Sequence, residues 1–182
     1  MVRRDASLDL QEAFDQGDKK AVMRILRNTA KYIFDPLQID EKGNTMLMLA
    51  CSKGMKEAAR ILLKMDYLPQ QVNELGNTAL MLSCAKGMKE AARILLKMDC
   101  LPQQVNKTGN TALMLACSTA TEEVLLTLLT MDCKPQQVNK NGDTALMLAC
   151  ATATEEVLLT LLTMDCQPQQ VNKNGNTALM LT

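Results

Sequence analysis

The sequence predicts an all-α solenoid of stacked helix-turn-helix units joined by short β-hairpin-like loops. Three observations support this fold class: a 33-residue period, a glycine at the same point of each period, and two short apolar stretches per period. The period is marked by five glycines at 33-residue intervals, Gly43, Gly76, Gly109, Gly142 and Gly175. Self-similarity at such a period is typical of solenoid architectures.

The repeated units fall into two groups. Residues 43–75 and 76–108 agree at 27 of 33 positions, and residues 109–141 and 142–174 agree at 30 of 33. The middle pair, 76–108 against 109–141, agrees at only 20 positions. This pattern indicates stepwise tandem duplication.

A tight turn and a first helix open each unit. In the fourth full unit, Asn141-Gly142 supplies residues that tolerate positive φ and predicts the turn. Thr144 is the expected N-cap of a short apolar helix over Ala145–Cys150.

A second helix follows after a break. The hydroxyls of Thr152 and Thr154 and the paired carboxylates of Glu155 and Glu156 suit a helix N-terminus, by capping and by complementing the helix dipole. The helix is predicted to run from residue 157 to residue 164. Two helices of about ten residues are marginal alone and must stack on neighbouring units.

The whole chain, residues 1–182, is predicted to form one domain. Residues 6–42 match the apolar spacing if Gly17 is aligned with Gly54 and Pro36 with Pro69, and their charged outward side suits a capping unit. Full units follow at 43–75, 76–108, 109–141 and 142–174, and residues 175–182 begin a truncated one. We expect the chain to be a fragment of a longer protein.

The period and the recurring Gly-x-Thr-x-Leu-x-x-Ala together resemble the ankyrin repeat, whose motif is Gly-x-Thr-Pro-Leu-His-x-Ala-Ala. The resemblance covers residues 43–182, with residues 10–42 as a weaker copy. Alanine replaces the motif proline in most units, and methionine replaces the motif histidine at Met81, Met114, Met147 and Met180. In the family that histidine bonds backbone between units, so rigidity here should depend more on packing.

Composition excludes most catalytic chemistry. The chain has no histidine, which removes Ser-His and Cys-His nucleophile pairs and the usual general base near neutral pH. We therefore predict a protein that is not an enzyme and that needs no cofactor and no metal. No apolar run approaches the ~20 residues of a membrane span.

The odd number of cysteines, seven, and the lack of a secretory signal indicate a reducing compartment. The predicted location is the cytoplasm, or the host cytosol if the protein is a secreted bacterial effector.

The sulfur-containing side chains form ladders at the repeat period. The cysteine ladders are Cys51, Cys84, Cys117 and Cys150, and Cys100, Cys133 and Cys166. We interpret them as small buried hydrophobes, with a redox or metal role as the alternative. The methionine ladders are Met48, Met81, Met114, Met147 and Met180, and Met65, Met98, Met131 and Met164. They are interpreted as core filling, with a partner groove as the alternative.

Charge is unevenly distributed. Residues 1–108 hold 17 Lys and Arg against 13 Asp and Glu, whereas residues 109–182 hold 3 against 7. Each of two basic trios, Lys56/Arg60/Lys64 and Lys89/Arg93/Lys97, has the spacing that lines one face of a helix. The ankyrin resemblance implies that this face is the outer, convex one. A solvated face is the simple interpretation, and an acidic partner or anionic lipid is the alternative. Nucleic acid is not expected, because no aromatic residues are interspersed and the whole chain is neutral.

Leu126 and Leu159 stand where Lys or Arg would be expected on the same face of the acidic half. Two alternatives remain open: an exposed apolar patch for weak self-association or a partner, or burial of both through a small helix rotation.

The ankyrin resemblance implies binding through a concave surface made of hairpin tips and first-helix ends. We predict a non-enzymatic scaffold that binds a partner protein there. The alternative is the interaction arm of a larger multidomain enzyme or bacterial effector whose catalytic domain lies outside this chain. The predicted partner-binding residues are Lys53, Met55, Glu74, Leu75, Lys86, Met88, Lys107, Thr108, Thr119, Thr121, Lys140, Asn141, Asp143, Thr152 and Thr154.

Overall fold

The computed structural model describes residues 4–28, 31–33, 35, 37–65, 69–98, 100–119, 122–131, 133–152, 154–164 and 166–181. Within these residues ten α-helices follow one another in pairs. They are α1 (Ser7–Asp15), α2 (Lys19–Arg27), α3 (Met46–Ser52), α4 (Lys56–Leu62), α5 (Ala79–Ala85), α6 (Lys89–Lys97), α7 (Ala112–Cys117), α8 (Glu122–Leu129), α9 (Ala145–Cys150) and α10 (Glu155–Thr163). A 3₁₀ helix at Ala178–Leu181 ends the described chain.

The helices form two layers. Each first helix packs against the first helix of the next pair, in the order α1, α3, α5, α7 and α9. The second helices, from α2 to α10, stack in the same order beside them. The predicted all-α solenoid is therefore confirmed.

Local signals define the first helix of each full pair. Gly142 has φ of 81°, which closes the turn before α9. The Oγ1 of Thr144 then accepts a hydrogen bond from the Met147 amide at 3.2 Å, and equivalent bonds cap α3, α5 and α7. The predicted helix over Ala145–Cys150 and its threonine cap are confirmed.

The second helices depart from the prediction at their start. Helix α10 begins at Glu155, two residues before the predicted Val157, with Glu155 and Glu156 in its first turn. The prediction that threonine hydroxyls cap this helix is wrong. Thr154 occupies the N-cap position, but its hydroxyl donates to the Glu122 carboxylate of the preceding pair at 2.9 Å. The Thr152 hydroxyl donates to the carbonyl of Cys117. A charged acceptor and a free helix-end carbonyl in the neighbouring pair attract these hydroxyls, so they join units instead of capping one.

Short hairpins connect the pairs. Val138 and Thr144 form an antiparallel bridge across one of them, and Ile39 and Thr45 do the same earlier in the chain. Before the later hairpin, the amide of Gln137 donates to the carbonyl of Lys134 at 3.2 Å and closes a turn. The β-hairpin-like loops of the predicted fold class are thus present.

The first unit adds a feature that was not predicted. Its strand β1 (Arg4–Asp5) pairs in parallel with β2 (Tyr32–Ile33), beside α1 and α2. The alignment of Gly17 with Gly54 is confirmed, because both adopt positive φ, of 70° and 63°, between the two helices of their pairs. Pro36 lies outside the described residues.

Methionine fills the core between the layers at the position of the family's histidine. Met48, Met81, Met114 and Met147 are buried, which confirms the core-filling interpretation for them. Met180 was predicted to join this ladder but is 67% exposed. It lies in the 3₁₀ helix Ala178–Leu181, which packs on α9 on one side only within the described residues. The second methionine ladder is only half-buried at Met65, Met98 and Met164, and Met131 is exposed.

The seven cysteines form no disulfide bond within the described residues. Five are buried, namely Cys51, Cys84, Cys100, Cys117 and Cys133, while Cys150 and Cys166 are half-buried. Burial raises the pKa of Cys51, Cys84 and Cys117 to about 12. The interpretation as small core residues is therefore confirmed for the five buried cysteines, whereas Cys150 and Cys166 lie at the edge of the core. In the part of the chain that the structure describes, no helix is long and apolar enough to cross a bilayer.

Consecutive units approach each other closely at Gly109. A Cβ added there would lie 2.9 Å from the Lys140 amide nitrogen, whereas one added at Gly54 would meet nothing within 4 Å. Both glycines have positive φ, so alanine strains the backbone at each by about 1 kcal/mol. Gly109→Ala should lower the free energy of unfolding by about 2–4 kcal/mol, because overpacking adds to the strain. Urea unfolding of both variants measures this, and an equal loss at the two positions would contradict the close approach.

Thiol reactivity should follow burial. A chromogenic thiol reagent at about pH 8 should modify Cys150 and Cys166 before Cys51, Cys84 and Cys117, because a thiol whose pKa is raised to about 12 provides very little reactive thiolate. Mass spectrometry of quenched samples gives the order. Modification of Cys84 as fast as Cys150 in the native protein would overturn the assignment.

Candidate functional site

The hairpin edge is a continuous row of loop tips along one side of the solenoid. It consists of the residue pairs 41–42, 74–75, 107–108, 140–141 and 173–174. Each tip is bonded to the next through the backbone: the amide of Lys140 donates to the carbonyl of Thr108, and that of Lys173 donates to the carbonyl of Asn141, both at 2.9 Å. The same bond joins the earlier tips. The backbone of every tip is therefore held by its neighbours.

A ladder of asparagines supports this edge from beneath. The side-chain amide of Asn139 donates to Asn110 Oδ1 at 3.0 Å, while its own Oδ1 accepts from the amides of Asn141 and Asp143. Equivalent inter-unit bonds run from Asn73 to Asn44, from Asn106 to Asn77 and from Asn172 to Asp143. Each asparagine thus fixes its own turn and links it to the preceding one.

Sequence reasoning missed this ladder, although a signal was available. An asparagine precedes every predicted tip at the same point of the period, in a loop where the neighbouring tip residues change. An asparagine that is the same in every unit, next to positions that differ between units, indicates a side chain whose hydrogen bonds hold the loop. The partner of each asparagine, 29 positions earlier, becomes apparent only when the units stack.

The predicted tip residues lie on the surface. Glu74, Leu75, Lys107, Thr108, Lys140 and Asn141 are all exposed. Asp143, also in the predicted set, is half-buried, and its carboxylate accepts from the side-chain amide of Asn172 at 2.8 Å. Asp143 therefore belongs to the ladder beneath the tips.

The first-helix ends are exposed at four of the predicted residues, Lys53, Lys86, Thr119 and Thr152. Lys53 reaches back to the carbonyl of Asp15 at 3.5 Å. Thr154 is exposed and bonded to Glu122, and Thr121 lies outside the described residues.

Two residues of the predicted set do not reach the surface. Met55 and Met88 are 7% and 2% exposed. Each immediately precedes a second helix, at the N-cap position of α4 or α6, where its side chain packs into the core between the helix layers. Their inclusion among surface contacts is corrected for this reason.

Between the hairpin edge and the first-helix ends lies the open side of the first helices. It carries the half-buried side chains of Leu82, Leu115 and Leu148. Small residues follow three positions after these leucines and after Leu49 of α3, at the ends of the helices or just beyond them, namely Ser52, Ala85, Ser118 and Ala151. This side of the first helices therefore carries apolar and small side chains.

The basic trios of the second helices are exposed or half-exposed, but their arginines are not free charges. Arg60 bonds Glu57 at 2.6 Å and Arg93 bonds Glu90 at 2.6 Å. Each arginine lowers the pKa of its partner carboxyl through that hydrogen bond. Lys89 pairs with Glu123 of the next unit at 2.9 Å. The groove between α4 and α6 is therefore rimmed by both signs of charge.

Neither alternative for Leu126 and Leu159 holds for both residues. Leu126 is half-buried in α8, which packs against both α6 and α10. Leu159 is 55% exposed in α10, the last second helix described. Self-association through these residues remains a prediction.

The exposed polar groups of the hairpin edge and the first-helix ends are amines, amides, hydroxyls and carboxylates, which can form hydrogen bonds and ion pairs. Within the described residues, no group of three or more His, Cys, Asp or Glu side chains is arranged to hold a metal ion.

These features define a helical-repeat solenoid with a rigid hairpin edge. The family described as ankyrin repeats (3 copies) matches residues 10–103, 68–137 and 121–182. The chain belongs to the ankyrin repeat family, as its motif suggested. Ankyrin repeats are generally protein-protein interaction modules. No curated protein matches the chain at a significant level.

Asn139 should matter for stability far more than the exposed tip residue beside it. Asn139→Ala removes four hydrogen bonds, including a long one of 3.4 Å to the Asp143 carboxylate. Each is worth about 0.5–1.5 kcal/mol, and the free energy of unfolding should fall by about 2–4 kcal/mol. Asn141→Ala removes no bond of the ladder and should change it by about 0.5 kcal/mol or less. Denaturant unfolding compares the two, and equal effects would argue against the ladder.

Proposed function

We propose that this chain is a non-enzymatic scaffold that binds a partner protein through its concave surface. By concave surface we mean the hairpin edge, the open side of the first helices and the first-helix ends. The observation that carries the proposal is the double ladder of the hairpin edge, in which backbone and asparagine bonds hold every tip while the tip side chains stay exposed.

Rigidity favours binding. A surface that is ordered before the partner arrives loses little conformational entropy on association, so more of the contact energy appears as affinity. The tips and first-helix ends are held by stacked neighbours, whereas their side chains project away from the core. Such a surface can change its recognition residues without changing its fold.

The side chains of the concave surface also change along the array. The first-helix ends carry Lys53 and Lys86 in the second and third units, but Thr119 and Thr152 in the next two. The buried leucine and methionine of the first helices do not change: Leu80 and Met81 correspond to Leu113 and Met114 in the next unit. Variation at exposed positions beside such an unchanged core is what a recognition surface requires, and family membership supports the same function.

Charge reversal at the first-helix ends should weaken partner capture. The double variant Lys53→Glu/Lys86→Glu, immobilised and incubated with cell extract, should retain partners several-fold less than the parent chain. Its control is Lys64→Glu/Lys97→Glu, which reverses two exposed lysines in the same two units on the second helices. Quantitative mass spectrometry of the captured proteins is the measurement.

The result expected for the control is unchanged capture. If the control loses partners while Lys53→Glu/Lys86→Glu keeps them, the binding surface lies on the second helices and the proposal is wrong. Unchanged thermal unfolding of both variants ensures that the comparison concerns binding.

A further inference from the structure

Three exposed lysines follow one another along the hairpin edge. The lysine row consists of Lys107, Lys140 and Lys173, which occupy the same position in successive tips and are all exposed. In the part of the chain that the structure describes, none of them lies within ion-pair distance of a carboxylate. Their amides donate to the preceding tips at 2.9 Å, so the backbone spacing of the row is fixed.

The lysine row coincides with a reversal of charge along the edge. The two earlier units carry Glu41 and Glu74 at the same position. The acidic side chains of the later units lie elsewhere: Glu122, Glu123, Glu155 and Glu156 are in the first turns of α8 and α10. The last three tips of the hairpin edge therefore carry lysine where the first two carry glutamate. The glutamates of α8 and α10 lie on the second helices, and the half-buried carboxylate of Asp143 lies in the ladder beneath the tips.

The spacing of the row suggests a shape for the ligand. Stacked helices lie roughly 8–10 Å apart, and the tips repeat with the units. A polyproline II helix has three residues per turn and a rise of about 3.1 Å, so every third side chain lies on one edge at intervals of about 9 Å. A β-strand alternates its side chains and repeats on one face at about 6.6–7 Å, which does not match.

We infer that the lysine row binds an acidic segment of a partner protein in the polyproline II conformation, with a carboxylate at every third residue. This inference rests on the proposed function, because the row is part of the concave surface. Each carboxylate would meet one ammonium group in register. Lysines one Debye length apart, about 8–10 Å, reinforce each other's potential along such a line.

Two asparagines next to the lysine row can donate hydrogen bonds to a bound segment. A polyproline II segment makes no internal hydrogen bonds, so its carbonyl groups need external donors. Asn141 and Asn174 follow the last two lysines, are exposed, and have side-chain amides that form no hydrogen bond with the described residues. These amides can donate to the carbonyls of the bound segment.

An anionic membrane is a poorer occupant than an acidic segment. A flat anionic surface would bring its charge toward the whole acidic half, including the carboxylates of α8 and α10, whereas a narrow segment contacts only the edge. An acidic segment therefore fits both the lysine row and the carboxylates of the neighbouring second helices. Binding to anionic vesicles is measured below to test the membrane alternative.

Peptides of defined spacing test the inference directly. The probe is a fluorescein-labelled peptide of three Glu-Pro-Pro triplets, and its control has the same composition with the three glutamates consecutive. Fluorescence anisotropy with the full chain at low salt should show the triplet peptide binding at least ~5-fold more tightly, because only its carboxylates match all three lysines. Equal binding of both peptides, or binding of neither, overturns the inference.

A matched pair of triple variants locates the site. Reversing the lysine row to glutamate should weaken binding of the triplet peptide by ~10-fold or more. Reversing three exposed lysines of the second helices that form no ion pair with the described residues changes the net charge equally and should leave binding within ~2-fold; these are Lys56, Lys64 and Lys97. If the glutamate row destabilises the fold, Lys→Gln at the same three positions replaces it. Equal losses in both variants would mean that net charge alone attracts the peptide, and the site would be refuted.

Two further measurements, vesicle binding and partner capture, separate this inference from the proposed function. Binding to vesicles containing phosphatidylserine that depends on the lysine row, without binding of the triplet peptide, would identify a lipid surface and overturn the acidic segment. Partner capture that depends on Lys53 and Lys86 but not on the lysine row would leave the scaffold intact and refute the ligand proposed here. Capture independent of both sets would refute the scaffold itself.

Discussion

A pair of helices of six to nine residues each cannot bury its own apolar surface, so each pair must pack against the next pair along the chain. The effect is visible at a single repeated leucine. Leu96 in α6, in the middle of the array, is 6% exposed, whereas Leu162 at the corresponding place in α10 is 50% exposed. Stacking therefore supplies the core, and each unit is stabilised mainly through its neighbours.

Close stacking explains why the period is kept at 33 residues. Neighbouring turns approach so closely at Gly109 that a methyl group would press on the next turn's backbone. The same approach brings Asn139 within hydrogen-bond distance of Asn110 and aligns the tips into a bonded edge. Packing in the core and bonding at the edge thus require the same spacing, and the side chains of the tips are left free to serve recognition.

Ion-paired and unpaired charged side chains lie on different parts of the surface. On the second helices of the basic half, arginines and glutamates pair within one helix turn, as Arg60 does with Glu57. On the hairpin edge the lysines have no such partners within the described residues. The overall neutrality of the chain is therefore compatible with a strongly polarised surface, and the unpaired charges lie where a partner can reach them.

The sequence by itself determined what acts over a few residues: the period, the turn glycines, the Thr144 cap and the helix over Ala145–Cys150. Tertiary structure decided what depends on the neighbouring unit. Met55 was predicted as a surface contact but is buried, and the Thr154 hydroxyl binds another unit instead of its own helix. Asn139 finds its partner 29 residues away. Helix propensity and capping are local free energies, whereas these contacts depend on the rotation and offset of one unit on the next, which only the packed core sets.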